Sequence, residues 1–467
     1  MVLSAFRFDT LAATSMILRE RVQGTVLTPD SEGFAAAHMP FNCAVQHAPA
    51  LVVLPETARD IVETVRFAAA NDLAVTVQAT GHGVRSAIEG GVLINTSRMT
   101  GVTIDPERRT ARVEAGTRWA AVVAAAAGHG LAPLNGSSVT VGVVGYTLGG
   151  GTGWLARKYG FAADRVVRAE VVTADGRQLV ASETENVDLF HALRGGGGSF
   201  GIVTALEFGL VPVAEVFAGM VVYPMERSAD VFTAYAAWAE GNPEELTSSI
   251  ALMRLPPIPA IPEPLRGRDV VIVRGCYTGD LAAGEQAMRP MRELGAPILD
   301  TFGVLPWAMN GTISADPEDA FPHSGSHLML DDLSPATITA VLSAVGPGCD
   351  SALMMVEIRH IEGATRHAGP STAIANRTDA PFVLFAAGAL FAPEMVPAVT
   401  ASHAALRGAL APHAVEGAFP NFLGYGDADP ERYRAAFSPA TYDRLVAARD
   451  RFDPSRRFRH NGLLAAE

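Results

Sequence analysis

The chain has 467 residues, of which 49% are hydrophobic and 18% charged; that excludes a disordered polymer and is enough length for roughly two to three domains. Its net charge is −13, its positive charges are scattered, and Lys158 is the only lysine, so no basic stripe offers itself to nucleic acid. No apolar run reaches the length of a membrane span, and Cys43, Cys276 and Cys349 lie far apart with no CxxC, which speaks against a disulfide framework or a thiolate metal site.

The opening MVLSAFRFDTLAATSM has neither a long apolar segment nor a twin arginine, and a cytoplasmic protein is expected. Residues 56–71 carry Ile61, Val62, Val65, Ala68 and Ala69 at helical spacing. A strand over 73–79 follows and stops at Thr80-Gly81-His82-Gly83, which presents one histidine between two residues of unusual backbone freedom. Next come the strand VLINTS and a hairpin of VTID and ARVEAG, then a helix over 117–128 and a glycine-rich segment, 136–153. A second hairpin turns on Asp175-Gly176, the helix VDLFHALRG runs into four glycines, and IVTALEFGLVP is a further strand.

From 213 the rhythm changes. EVFAGMVVYPM, SSIALMRL, DVVIVRGCYTG, SALMMVEIRHIEG and FVLFAAGALFA are five strand candidates, with helical stretches at 230–240, 282–294, 335–345 and 395–410 between them. That pattern predicts an antiparallel sheet with helices on one face. LPPIPAIPEPLRG, 255–267, is a proline-rich loop, and the tail is a helix followed by DPSRRFRHNGLL.

Gly149-Gly150-Gly151-Thr152-Gly153 matches a dinucleotide fingerprint only loosely, because a hairpin and not a parallel crossover follows it. A P-loop fails, since Lys158 is followed by Tyr159. In strand 353–361, alternation puts Met355, Glu357 and Arg359 on one face and Val356 and Ile358 on the other. The histidines show no metal spacing, and no metal is expected.

Taken in order, VTVQATGHG, NTSRMTGVTID, ARVEAGTRW, LNGSSVTVGVVGYTLGGGTGWLARKYGFAADRVVRAEVVTADG, DLFHALRGGGGSFGIVTALEF and PNFLGYGD resemble the berberine-bridge-enzyme-like flavin oxidases of the vanillyl-alcohol-oxidase and p-cresol-methylhydroxylase (PCMH) superfamily. The likeness runs from about residue 40 to residue 461. It implies an α+β, two-domain PCMH-type fold: an FAD-binding domain over 1–212 with its core at about 45–212, an antiparallel-sheet substrate domain covered by helices over 213–415, and a segment 416–467 that returns to the first domain.

It also implies an FAD-dependent oxidase that moves a hydride from a small organic substrate to the flavin and returns electrons to dioxygen, in secondary metabolism or catabolism. A dehydrogenase or oxidative cyclase with another acceptor, and a non-catalytic flavin-binding protein, are the alternatives. The partners expected are the small-molecule substrate and dioxygen, with no nucleic acid and no membrane.

Residue by residue, His82 matches the histidine bonded to the flavin 8α-methyl, and Ser138 stands where some relatives have a second, cysteine link, so a single covalent link is implied. Gln78, Ala79, Thr80, Gly81, Gly83, Val84, Gly136, Ser137, Gly142, Gly145, Tyr146, Gly149, Gly150, Gly153, Val203 and Asn461 are the other expected FAD contacts. Val141 falls at an oxygen-gate position, and Tyr146 replaces a common histidine. Glu357, Tyr146 and Asn421 are the catalytic candidates, with Arg359 and Tyr425 toward the substrate; Asn421, Leu423 and Tyr425 are expected to share one face of a strand. Two roles stand side by side for Glu357: a general base whose pKa burial raises, or a structural partner of Arg359.

Overall fold

The computed structural model describes residues 15–367, 372–374, 380–426 and 429–459. Three sheets organise it. The first has strand order Thr25–Leu27, Leu51–Leu54, Val92–Asn95, Val75–Gln78. Every residue of Leu51–Leu54 and Val92–Asn95 is buried; Val92–Asn95 lies between two parallel neighbours, while Leu51–Leu54 pairs antiparallel with Thr25–Leu27 on its other side. Helix Ala58–Ala70 bridges Leu51–Leu54 and Val75–Gln78. It starts on a capping box between Thr57 and Asp60 and lays Ile61, Val62, Val65 and Ala68 on the sheet. Because Val75–Gln78 runs parallel to Val92–Asn95, the Gly-His-Gly turn leaves from its C-terminal end, the end where parallel sheets place ligands.

The second sheet is five-stranded and antiparallel, in the order Val102–Asp105, Thr110–Glu114, Ile202–Gly209, Val166–Val172, Gln178–Ser182. The third has nine strands, all its pairings antiparallel, and contains all five expected strands. It also holds four unexpected ones: His323–Leu330, Leu299–Asp300, Gly303–Pro306 and Ala414–Val415. Helices Ser228–Ala239, Leu281–Arg292, Pro335–Val345 and Met395–Leu410 cover one face. Val356 and Ile358 point into the core beneath those helices, which leaves Glu357 and Arg359 on the opposite face.

Residues 421–425 differ from expectation. They are not a strand: Pro420–Phe422 is a 3-10 turn, and Gly426 sits at φ +100. Pro420 has no N–H to give a ladder, so the shared face expected of Asn421, Leu423 and Tyr425 does not form.

Beyond that turn, helix Pro439–Phe452 packs Leu445, Ala448 and Phe452 with Leu189 and Phe190. The Arg459 amide donates to the Val75 carbonyl at 3.0 Å, and the Val75 amide donates to Arg457 at 2.9 Å, so the tail is bonded to the strand that delivers His82. Among the described residues no helix is long and apolar enough to cross a membrane.

Candidate active site

One cavity of about 840 Å³ runs between the glycine-rich turns of the first half and the open face of the nine-stranded sheet, within the size range of small-molecule sites. Gln78, Ala79, Thr80, Gly81, His82, Gly83, Val84, Gly136, Ser137, Val141, Gly142, Gly145, Tyr146, Gly149 and Val203 line it, as do Arg359 and Asn421. Gly150, Gly153, Glu357 and Tyr425 do not. Gly153 lies against the Asn135 carbonyl, at a spacing a Cβ could not enter, and serves packing. Gly150, at φ +109, packs beside Asn421 and Phe161. Tyr425 uses its carbonyl to accept from the Gly325 amide. Asn461 lies outside the described residues.

His82 is fixed on three sides. Its Nδ1 lies 2.8 Å from the Thr80 hydroxyl and its Nε2 3.3 Å from that of Thr140, itself 2.9 Å from the Ser138 hydroxyl. The Phe41 ring stacks on it at 3.7 Å and 14°. Burial first, then the positive fields of Arg118 and His323, lower its pKa to about 4, so the imidazole is neutral at pH 7. Gly81 makes the turn possible: it adopts φ +74, and a Cβ there would strike Pro40. No cysteine lines the cavity; Cys43, near Phe41 in sequence, turns its Sγ toward the Pro40 and Phe41 carbonyls.

The Tyr146 ring is held between Gly136 and Gly151, where built Cβ atoms would come within 2.9 and 2.5 Å of it, and meets Trp119 edge-on. Its hydroxyl is sealed and has no hydrogen-bond partner among the described residues, and burial raises its pKa above the usual tyrosine range against the opposing pull of Arg359. Asn421, expected to be catalytic, has its amide committed to backbone: Nδ2 donates to the Tyr146 carbonyl at 2.9 Å, and Oδ1 accepts from the Gly151 amide at 2.8 Å. That fastens the glycine run.

Glu357 departs from the general-base expectation. It is 2% exposed and does not reach the cavity. Oε1 accepts from Ser249 at 2.8 Å and Arg274 at 3.1 Å, and Oε2 accepts from Arg359 Nε at 2.6 Å. Burial pushes its pKa up, but Arg359 and Arg274 outweigh burial and hold it below the usual range. Both of its oxygens are thus taken by donors, an arrangement that favours the ionised form. Arg359 carries the charge into the cavity, with its guanidinium over the Phe422 ring at 5.6 Å.

Sequence reasoning missed Asp316, a cavity-lining carboxylate with no hydrogen bond or ion pair among the described residues, and His323. His323 Nδ1 lies 3.1 Å from the Phe321 carbonyl, a bond the ring nitrogen can only donate, which leaves Nε2 as acceptor. It missed Gly196, Gly197 and Gly198 too, although the four-glycine run signalled them. Asp316 sits in a polar loop that offers no periodicity. Among the described residues, no cluster of histidine, cysteine or acidic side chains could hold a metal ion.

Residues 49–182 match the family model described as an FAD binding domain. The chain is 28% identical to (R)-6-hydroxynicotine oxidase of Paenarthrobacter nicotinovorans, over 94% of this chain and 96% of that protein. It is also 28% identical to an FAD-linked oxidoreductase of Dictyostelium discoideum, where the match spans 62% of this chain and only 61% of the relative. The solved structure of 6-hydroxy-D-nicotine oxidase from Arthrobacter nicotinovorans aligns with a TM-score of 0.81 at 25% identity, over 94% of this chain and 97% of that one. A xylooligosaccharide oxidase from Myceliophthora thermophila shares the fold at 0.81 and 23% identity, over 97% of this chain and 100% of that one.

The fold is the α+β, PCMH-type fold of FAD oxidases, with a glycine-lined cavity between its halves. Residues 49–182 carry an FAD binding domain, the chain is similar along nearly its whole length to an FAD-linked oxidase, and its fold is shared with a berberine-bridge-enzyme-like protein of Physcomitrella patens.

Proposed function

We propose that the protein is an oxidase that holds FAD covalently through His82 alone and oxidises a small organic molecule with dioxygen as acceptor. The observation that carries this reading is His82 itself: a neutral imidazole in the cavity wall, oriented by Thr80, Thr140 and Phe41, with no cysteine beside it for a second link. The cavity fits FAD chemically. Gly81 and Gly142 let backbone come close, and Gly196, Gly197 and Gly198 add a second stretch of wall without side chains. When bound, FAD supplies the acceptor for a hydride from a substrate C–H bond.

The chain's own residues bind, orient and move the proton. Arg359 orients the substrate. Asp316, the cavity-lining carboxylate whose field reaches Arg359, takes the proton role in place of the buried Glu357. Asn421 and Gly151 keep the wall beside Tyr146 rigid. Val141, half-buried on the cavity wall, is short enough to leave room for dioxygen, which favours oxidase over dehydrogenase.

The test is direct. Acid-precipitated protein should stay yellow, a flavin-modified peptide should contain His82, and substrate turnover should release hydrogen peroxide. A colourless precipitate removes the covalent link from the reading. Turnover without peroxide removes the oxidase.

A further inference from the structure

We infer that the substrate carries a carboxylate on a flat apolar body and that Arg359 receives it; this rests on the flavin-site reading above. The charges around Glu357 do not cancel. Glu357 is the only carboxylate hydrogen-bonded to Arg274 and Arg359 among the described residues, and Ser249 and the two arginines occupy both of its oxygens. Two guanidinium groups against one carboxylate leave one positive charge. Arg274 is buried, so that charge emerges at Arg359, whose side chain is 19% exposed.

With Nε held by Glu357 and Nη2 only 3.5 Å from the Ser137 hydroxyl, Nη1 has no acceptor among the described residues. A substrate carboxylate supplies the acceptor that geometry lacks, and a charge-assisted pair of this kind is strong where water is thinned.

The surroundings set the rest of the ligand. Phe422, Phe385 and Met355 line the cavity around the guanidinium and suit an aromatic or other flat body. Asp316 lines the cavity too and would repel an anion. It is half-buried and forms no ion pair within 4.0 Å of Arg359, so its field is the weaker one. Arg274 and Glu357 are then positioning residues: they touch Arg359 or its anchor and not the substrate.

Titration calorimetry on the flavin-loaded protein, with benzoate and its neutral isostere benzamide, tests this. Benzoate should bind at least about tenfold tighter than benzamide. Arg359→Met should bring the two within about twofold. Asp316→Asn should tighten benzoate several-fold and leave benzamide unchanged. Arg274→Met should weaken benzoate with Arg359 still present, which a purely structural role for that arginine would not do in a protein that keeps its flavin. Equal binding of the two probes, or a preference that survives Arg359→Met, overturns the inference. A protein that takes up no flavin fails the earlier reading instead, and absorbance measured before titration separates the two failures.

Discussion

Arg359 and Glu357 stand two residues apart on one strand and are joined by a 2.6 Å bond from Nε to Oε2, with Arg274 bonded to the other carboxylate oxygen at 3.1 Å. That arrangement separates two roles a sequence cannot separate. A base must carry its lone pair to the substrate at working pH, whereas this carboxylate is buried, saturated and held ionised.

Glu357→Gln therefore tests positioning against base catalysis. Loss of a general base costs about 10²–10⁴-fold in the chemical step and removes the acidic limb of the pH–rate profile. Loss of an anchor should raise KM about tenfold, keep kcat within about threefold and leave that limb in place. Because the folded pKa of Glu357 lies below the ordinary carboxylate value, its ionisation does not contribute a limb near neutrality. A kcat loss of a hundredfold with unchanged KM would restore it as the base.

The depressed pKa of His82 gives a prediction for flavin attachment. The neutral ring is the nucleophile, so attachment fails as pH falls through the folded pKa of about 4. Between pH 7.5 and 5.5 the rate of covalent incorporation into apoprotein should be flat. A histidine at the ordinary value of about 6.5 would lose roughly tenfold at pH 5.5. In-gel flavin fluorescence against time reads this without reference to turnover. A tenfold drop at pH 5.5 would show that the wall around His82 does not hold it neutral.

How much of this was legible in the sequence depends on whether the signal was local. The strand ending at Gln78, the helix Ala58–Ala70 and the alternation of Val356 and Ile358 follow from periodicity, because burial of one face selects those residues directly. His323–Leu330 reads HSGSHLML and was invisible, since it buries Ser324, Ser326 and His327 on hydrogen bonds and not on apolar pattern. The sign of the Glu357 shift was missed for a related reason. Arg274 lies 83 residues away in sequence and meets Glu357 only through the pairing of three strands.

Val141 reads as a gate only if its size matters to one half of the cycle. Val141→Leu adds bulk at a half-buried position on the cavity wall. Rapid mixing should find flavin reduction by substrate within about twofold of wild type and reoxidation by dioxygen slowed about tenfold or more. Equal changes in both half-reactions would make Val141 ordinary packing beside Trp119, whose amide donates to the Val141 carbonyl at 3.0 Å.

The two halves of the molecule are joined at Arg157, and its removal should be felt in stability before chemistry. The side chain is 3% exposed and leaves the helix Ala156–Tyr159 to donate to the carbonyls of Asn242 at 3.2 Å, Pro243 at 3.1 Å and Leu246, at the entry to strand Leu246–Arg254. Glu362, 4.0 Å away, balances its charge. Burial lowers the pKa of this guanidinium and Glu362 opposes that, but an arginine stays charged at any working pH. Arg157→Met removes three donated bonds, of which only the one to Pro243 is backed by a backbone amide, that of Leu246, outside the strand ladder, and leaves Glu362 without that partner, at a cost of roughly 2–4 kcal/mol. The melting temperature should fall by several degrees, with flavin content at low temperature unchanged, because Arg157 does not line the large cavity. Arg157→Lys keeps the charge but cannot reach three carbonyls with a planar fork, and should recover only part of the loss. An unchanged melting temperature in Arg157→Met would mean that the apolar contacts between the halves, around Trp154, Val216 and Trp307, hold them together without it.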